Sequence, residues 1–103
     1  MENAKLLKQY MVIFDLPTPF DQEIMDLVPD QKAAMDDLFE DGRLLSYTVA
    51  LDRTQMWAIM LAEEESELLS YIDNFPMTNY MDFDYKEIMF HNTVHLIPSM
   101  SLN

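Results

Sequence analysis

Residues 44–63 read LLSYTVALDRTQMWAIMLAE, and the pattern of this stretch decides the fold. Two apolar runs, 44–52 and 56–63, are rich in β-branched and aromatic side chains. Short runs of that kind favour strands over helices. The polar tetrapeptide Asp52-Arg53-Thr54-Gln55 joins them, so the pair reads as a β-hairpin. It contains neither Asn-Gly nor Asp-Gly, which predicts a four-residue turn rather than a two-residue one. Gly42, just upstream, fits the left-handed position that closes many helices.

Working outward, residues 8–16 (KQYMVIFDL) form another short apolar run closed by Pro17, and predict the first strand. Thr18 suits a helix N-cap, Pro19 the first helical position and Asp21 the third residue after the cap. Ile24, Val28, Met35 and Phe39 follow at helical spacing, with Met25 and Leu38 widening the stripe. Pro29 removes one backbone donor and predicts a kink or a split there. On the other side of the hairpin, Glu63–Glu65 open a second helix, where acidic groups complement the positive end of the helix dipole. Its stripe is Leu68, Leu69, Ile72 and Phe75, and Pro76 ends it. Residues 81–91 (MDFDYKEIMFH) predict the last strand, and 92–103 form a tail. The order β-α-β-β-α-β over one domain, 1–103, predicts an α+β, ferredoxin-like antiparallel sheet with two helices on one face.

Composition narrows the function. The 103 residues hold 19 acidic and 6 basic side chains, a formal net charge of −13. Nucleic acid phosphates and anionic membranes would repel such a chain. There is no Cys, hence no thiolate nucleophile and no Cys-ligated metal. The two histidines, His91 and His95, with scattered acids are a poor metal set. A single Gly excludes Gly-rich phosphate loops, so no nucleotide cofactor is expected, nor any other. Met1–Tyr10 lacks the long apolar run of a signal peptide, and no stretch reaches the ~18 apolar residues of a membrane span. The expectation is a soluble, cytoplasmic protein.

Strand alternation adds an expectation about assembly. Tyr10, Val12, Phe14 and Leu16 oppose Met11 and Ile13 in the first strand. Leu45, Tyr47, Val49 and Leu51 oppose Leu44, Thr48 and Ala50 in the second, and Trp57, Ile59 and Leu61 oppose Met56, Ala58, Met60 and Ala62 in the third. Both faces are apolar, yet two helices cover one. A homodimer with its sheets packed together is expected; the alternative is a monomer whose 92–103 tail covers the second face.

From Gly42 to His91 the chain resembles the muconolactone isomerase-like group of dimeric α+β barrel proteins. The resemblance rests on Gly42, Arg53, Glu63 with Glu67-Leu68, Pro76, the Tyr80-Met81-Asp82 block and His91, in that order and spacing; Asp15 ends the first strand in the same layout. It implies a ferredoxin-like subunit paired through its sheet, sometimes within a larger ring. For the catalytic member it implies a cofactor-free proton shift on a small anionic lactone.

Candidate site residues follow. Asp82 and Asp84 share one strand face with Lys86; in a partly dry interior a carboxylate there would have a raised pKa and could carry a proton. At a solvated rim they would merely be charge-balanced by Lys86. His91, at the end of an apolar strand, is a proton carrier or a strand anchor. Tyr80, Tyr47 and Trp57 could line a ligand pocket or serve as core anchors. Arg53 could hold an anionic group, or only pair with Asp52 in the turn, worth ~0–1 kcal/mol when exposed. The ten methionines fill irregular gaps. Two functions remain open: a cofactor-free isomerase acting by proton transfer, and a non-catalytic small-ligand binding or assembly protein. A cavity with converging acid, Tyr and His groups would favour the first; one filled by Met and aromatics would favour the second.

Overall fold

Four strands, β1 (Lys8–Asp15), β2 (Leu44–Val49), β3 (Gln55–Ala62) and β4 (Asp82–Ile88), form one antiparallel sheet in the order β2-β3-β1-β4. The computed structural model of the chain describes residues 6–89. The helices are α1 (Gln22–Met25), α2 (Val28–Glu40) and α3 (Glu65–Asp73), with a short 3-10 turn at Thr78–Tyr80. This is the expected ferredoxin-like α+β order. No helix among the described residues is long and apolar enough to cross a membrane.

Local chemistry sets the boundaries. The first helix is capped by Asp21, not Thr18: Ile24 N–H donates to Asp21 Oδ1 at 3.1 Å. Pro29 splits the helical region rather than kinking it. It falls in the first turn of α2, where its missing N–H leaves no intrahelical bond unmade. At the far end of α2, Gly42 (φ +73) donates to Phe39 O and Arg43 N–H donates to Leu38 O. That bond pair is a Schellman cap, and no atom lies within 4 Å of where a Gly42 Cβ would stand. Glycine is therefore required there for its backbone conformation and not for space. At the start of α3, Glu67 Oε1 accepts the Glu63 N–H at 2.6 Å, so a first-turn side chain reaches back to the residue before the N-cap Glu64.

The hairpin is shorter in β2 than the sequence suggests. Pairing stops at Val49, and Ala50 N–H donates to Gln55 O. Asp52 Oδ1 accepts both the Thr54 N–H (3.0 Å) and the Thr54 hydroxyl (2.7 Å), which holds the carboxyl below its usual pKa. Arg53 takes the left-handed conformation, φ +64. The last strand ends at Ile88; His91 and the 92–103 tail lie outside the described residues.

Tyr10, Val12 and Phe14 of β1 face the helices together with Met56, Ala58, Met60 and Ala62 of β3. Met35, Leu68, Ile72 and Phe75 close this core from the other side. Leu69, read as part of the α3 stripe, is instead exposed. In β2 the alternation is broken by a bulge between Leu44 and Ser46. Leu44, opposite Met60, is thereby buried on the same side as Tyr47 and Val49, which oppose Ala58 and Met56, while Leu45 is exposed. A single extra residue flips the phase of everything beyond it, so simple alternation misplaces Leu44 and Leu45.

The other sheet face carries Met11 and Ile13 flanked by Ile59 and Trp57 of β3 and by Lys86 and Asp84 of β4. Ile59 is only 4 % exposed although it does not belong to the helix-side core. This face is apolar along its middle, with Ser46 and Thr48 on one side and Asp82, Asp84 and Lys86 on the other.

Candidate functional site

A pocket of about 290 Å³ lies between α2 and the helix-side face of the sheet, at the end where β1 leaves and the β2–β3 turn enters. Its wall is mostly apolar: Met35, Met56, Met77 and Met81, with Leu16, Phe20, Val28 and Val49. Four polar side chains complete it: Gln31, Lys32, Tyr47 and Arg53. Met is well suited to such a wall, because an unbranched, polarizable side chain adapts to ligands of differing outline.

Each polar group is positioned by an identifiable element. Arg53 is held at the left-handed position of the turn that Asp52 and Thr54 lock. Tyr47 sits on β2 opposite Ala58, and its ring packs against Phe39 of α2 with centroids 5.8 Å apart. Lys32 is on the first turns of α2, where its Nζ lies 3.3 Å from Asp36 Oδ2, an exposed pair one helical turn apart. Such a pair contributes little, so the ammonium can be recruited by a ligand anion. Gln31 is the one buried polar residue among the described residues, 7 % exposed. Its Oε1 accepts the Met77 N–H at 3.1 Å, and its Nε2 has no partner.

The sequence-predicted residues fall into separate groups. Arg53 and Tyr47 line the pocket. Trp57 does not: it pairs with Ile13 and Thr48 and belongs to the opposite sheet face. Asp82 and Asp84 do share a face with Lys86, but it is that same opposite face, where they pair with Asp15 and Ile13. Tyr80 lies between the wall residues Met77 and Met81, yet its hydroxyl donates to Glu23 Oε2 of α1 at 2.7 Å. That bond raises the phenol pKa above its ordinary 10.0. His91 lies outside the described residues.

Sequence reading missed Gln31 and Lys32. A signal for Gln31 existed: it stands three residues after Val28 and four before Met35, a polar side chain inside an apolar helical stripe. The matching partner, Met77 N–H, is 46 residues away and could not be read from spacing.

A larger depression, about 380 Å³, lies beside α3 and β4 and is lined by hydroxyl groups of Ser66, Ser70 and Thr78 with Asp73. Among the described residues its wall has no cation and no unpartnered buried side-chain group. The α2 pocket, by contrast, has a mostly apolar wall and two cations, Lys32 and Arg53, among its lining residues. Chemically it can hold a small apolar body and pair one negative charge.

In comparisons with known proteins, the family model described as muconolactone delta-isomerase matches residues 9–93. No curated protein matches the chain.

Proposed function

Since this chain belongs to the muconolactone delta-isomerase family, we propose that it is a cofactor-free isomerase that acts by proton transfer on a small carboxylated molecule seated in the α2 pocket. The observation that carries the reading is where the positive charge sits. The whole chain has 6 basic residues against 19 acidic ones, and two of those six, Lys32 and Arg53, stand at this one hollow. In so acidic a molecule an anion is repelled almost everywhere else, so the pair makes this the favoured landing place. Arg53 suits a carboxylate through its planar fork of donors. Tyr80, with Glu23 as its acceptor, is the proton-handling pair next in sequence to the wall residue Met81. Asp82, Asp84 and His91 are further proposed proton carriers; the two acids face the other side of the sheet, so any such role runs through the assembled protein.

The assembly we propose is a cytoplasmic homodimer. Met11, Ile13, Trp57, Ile59 and Leu61 present an apolar stripe on the face opposite the helices, and the same stripe on a second copy is its natural cover.

A thermal-shift screen of lactones and aromatic acids tests the substrate class, because a ligand that binds only the folded state raises its melting temperature. Hits are then incubated in deuterium oxide and followed by NMR. Enzyme-dependent exchange of a C–H next to a carbonyl supports the isomerase. A second reading, non-catalytic binding of the same ligands, is favoured by one feature: among the described residues no carboxylate or imidazole lines the pocket, and four of the lining residues are methionines. Stabilisation without exchange would decide for it.

A further inference from the structure

Leu69 belongs to the apolar stripe of α3, yet it is 36 % exposed. With Ile72 and Phe83 it lines the hollow of about 380 Å³ between α3 and β4. Phe83 is open as well, 37 % exposed, because β4 is an edge of the sheet and no further strand covers it. Its ring is held in place from within: the Phe14 centroid lies 6.1 Å away, and Tyr85 stacks on it at 6.2 Å. Ser66, Ser70 and Asp73 stand four and three residues apart, hence on one face of α3, and Thr78 joins them from the 3-10 turn. Asp73 is exposed and is the last residue of α3, whose last turn has no basic side chain. There its carboxylate faces the negative end of the helix dipole, an arrangement that opposes helix stability. The stability of α3 therefore gives no reason for an acid at that position, nor does the core for an apolar side chain at Leu69.

We propose that this hollow binds a small organic ammonium ion, at a site separate from the α2 pocket and independent of the function assigned to that pocket. Asp73 supplies the counter-charge, the hydroxyl oxygens of Ser70 and Thr78 accept the remaining N–H groups, and the alkyl body lies on Leu69, Ile72 and Phe83. Three effects favour a cation here and act in the same direction. The C-terminal end of α3 carries the negative pole of the helix, and a positive charge beside it offsets both that pole and Asp73. The face of an aromatic ring attracts an alkylammonium through its quadrupole, and Phe83 is fixed with part of its surface free. The chain as a whole has a formal charge of −13, which draws cations and repels anions, and no Lys or Arg lines this hollow to reverse that preference.

The test uses two probes of nearly the same shape, n-butylammonium chloride and the neutral 1-butanol. Each is titrated into the full chain at fixed ionic strength and followed by NMR. Butylammonium is expected to shift the Leu69 and Ile72 methyl groups and the Thr78 amide saturably, and to bind about fivefold more tightly than butanol. Asp73→Asn is expected to lower that affinity about fivefold, and Phe83→Leu about threefold. Glu40→Gln removes one charge from an exposed position of α2 outside the hollow and is expected to leave the affinity unchanged. Equal affinity for the alcohol, no saturable shift in the hollow, or an Asp73→Asn variant that binds like the unmodified protein would each overturn the proposal. A loss in Glu40→Gln as large as that in Asp73→Asn would overturn it too, because net charge and not this site would then gather the cation. Asp73→Asn relieves the helix end and is expected to fold at least as stably as the parent. Should Phe83→Leu not fold, the alcohol comparison and Asp73→Asn decide alone.

Discussion

Arg53 is the residue where binding and stability pull in opposite directions, and Arg53→Gly separates them. Its φ of +64 places a side-chain-bearing residue in the left-handed region. That conformation costs an L-residue roughly 1–2 kcal/mol relative to the right-handed one, and glycine nothing. Glycine gives back about 0.5–1 kcal/mol through the extra freedom of its unfolded chain. The side chain is exposed, so little packing is lost with it. The balance favours the variant by about 0.5–1 kcal/mol, which in a domain of this size corresponds to a melting temperature higher by roughly 2–8 °C. Arg53→Asn, a residue that tolerates the same conformation, is expected to be at least as stable as the parent. Affinity should move the other way. Losing a charge-assisted bond to a ligand carboxylate is expected to weaken binding of the small oxo acid levulinate about tenfold. The assays are a calorimetric melt without ligand and a titration with it. A lower melting temperature in Arg53→Gly would refute the strain argument. A melting temperature that rises while affinity stays unchanged would refute the placement of Arg53 at the ligand.

Other outcomes follow from the same geometry. Trp57→Glu puts a charge in the middle of the open sheet face and is expected to leave circular dichroism intact while halving the sedimenting mass; a dimer that survives would remove that face from the interface. Asp84→Asn is expected to leave levulinate affinity within about twofold, since surface charges on the far side of the sheet contribute little; a tenfold loss would mean that the acid reaches the pocket through a second copy. Tyr80 and Tyr85 each donate to a carboxylate, Glu23 and Glu65, and both phenols titrate above the ordinary 10.0 because the neutral form is the one that donates. The stability these bonds contribute is therefore fully present below pH 10.0 and is lost as pH rises through the raised values. Ultraviolet titration should show it, and Glu23→Gln should bring Tyr80 back toward its ordinary value. Leu68→Ala, at a fully buried core position, is expected to cost about 2–5 kcal/mol in chemical denaturation.

Much of the fold could be read locally. The hairpin around Asp52–Gln55, the run ending at Pro17, the stripe from Ile24 to Phe39 and the stop at Gly42 are all short-range signals, and each lands within a few residues of the observed element. What failed were features settled by partners. Whether Thr18 or Asp21 caps the helix depends on which side chain reaches Ile24 N–H. Whether Leu44 faces in or out depends on a bulge that exists only against Met60 and Ile59 of β3. The site was legible in halves. Arg53 and Tyr47 were readable as a turn cation and a strand aromatic, and the fold does bring both to one pocket. Trp57, Asp82 and Asp84 were placed on the correct strands, and the pleat puts them together on the face away from the helices, the one expected to meet a second copy.

The sequence by itself determined the element order, the α+β class and the scarcity of positive charge, because period-2 and helical spacing, proline and glycine positions and ion counts are properties of neighbouring residues. Only the tertiary structure decided which polar groups share a hollow. Gln31 and Arg53 are unremarked residues of a helix and a turn until the sheet brings both to one methionine-lined pocket, and the unpaired nitrogen of Gln31 comes from a bond to Met77, 46 residues away. A donor's satisfaction is set by what surrounds it in space, and that is information a linear pattern does not carry.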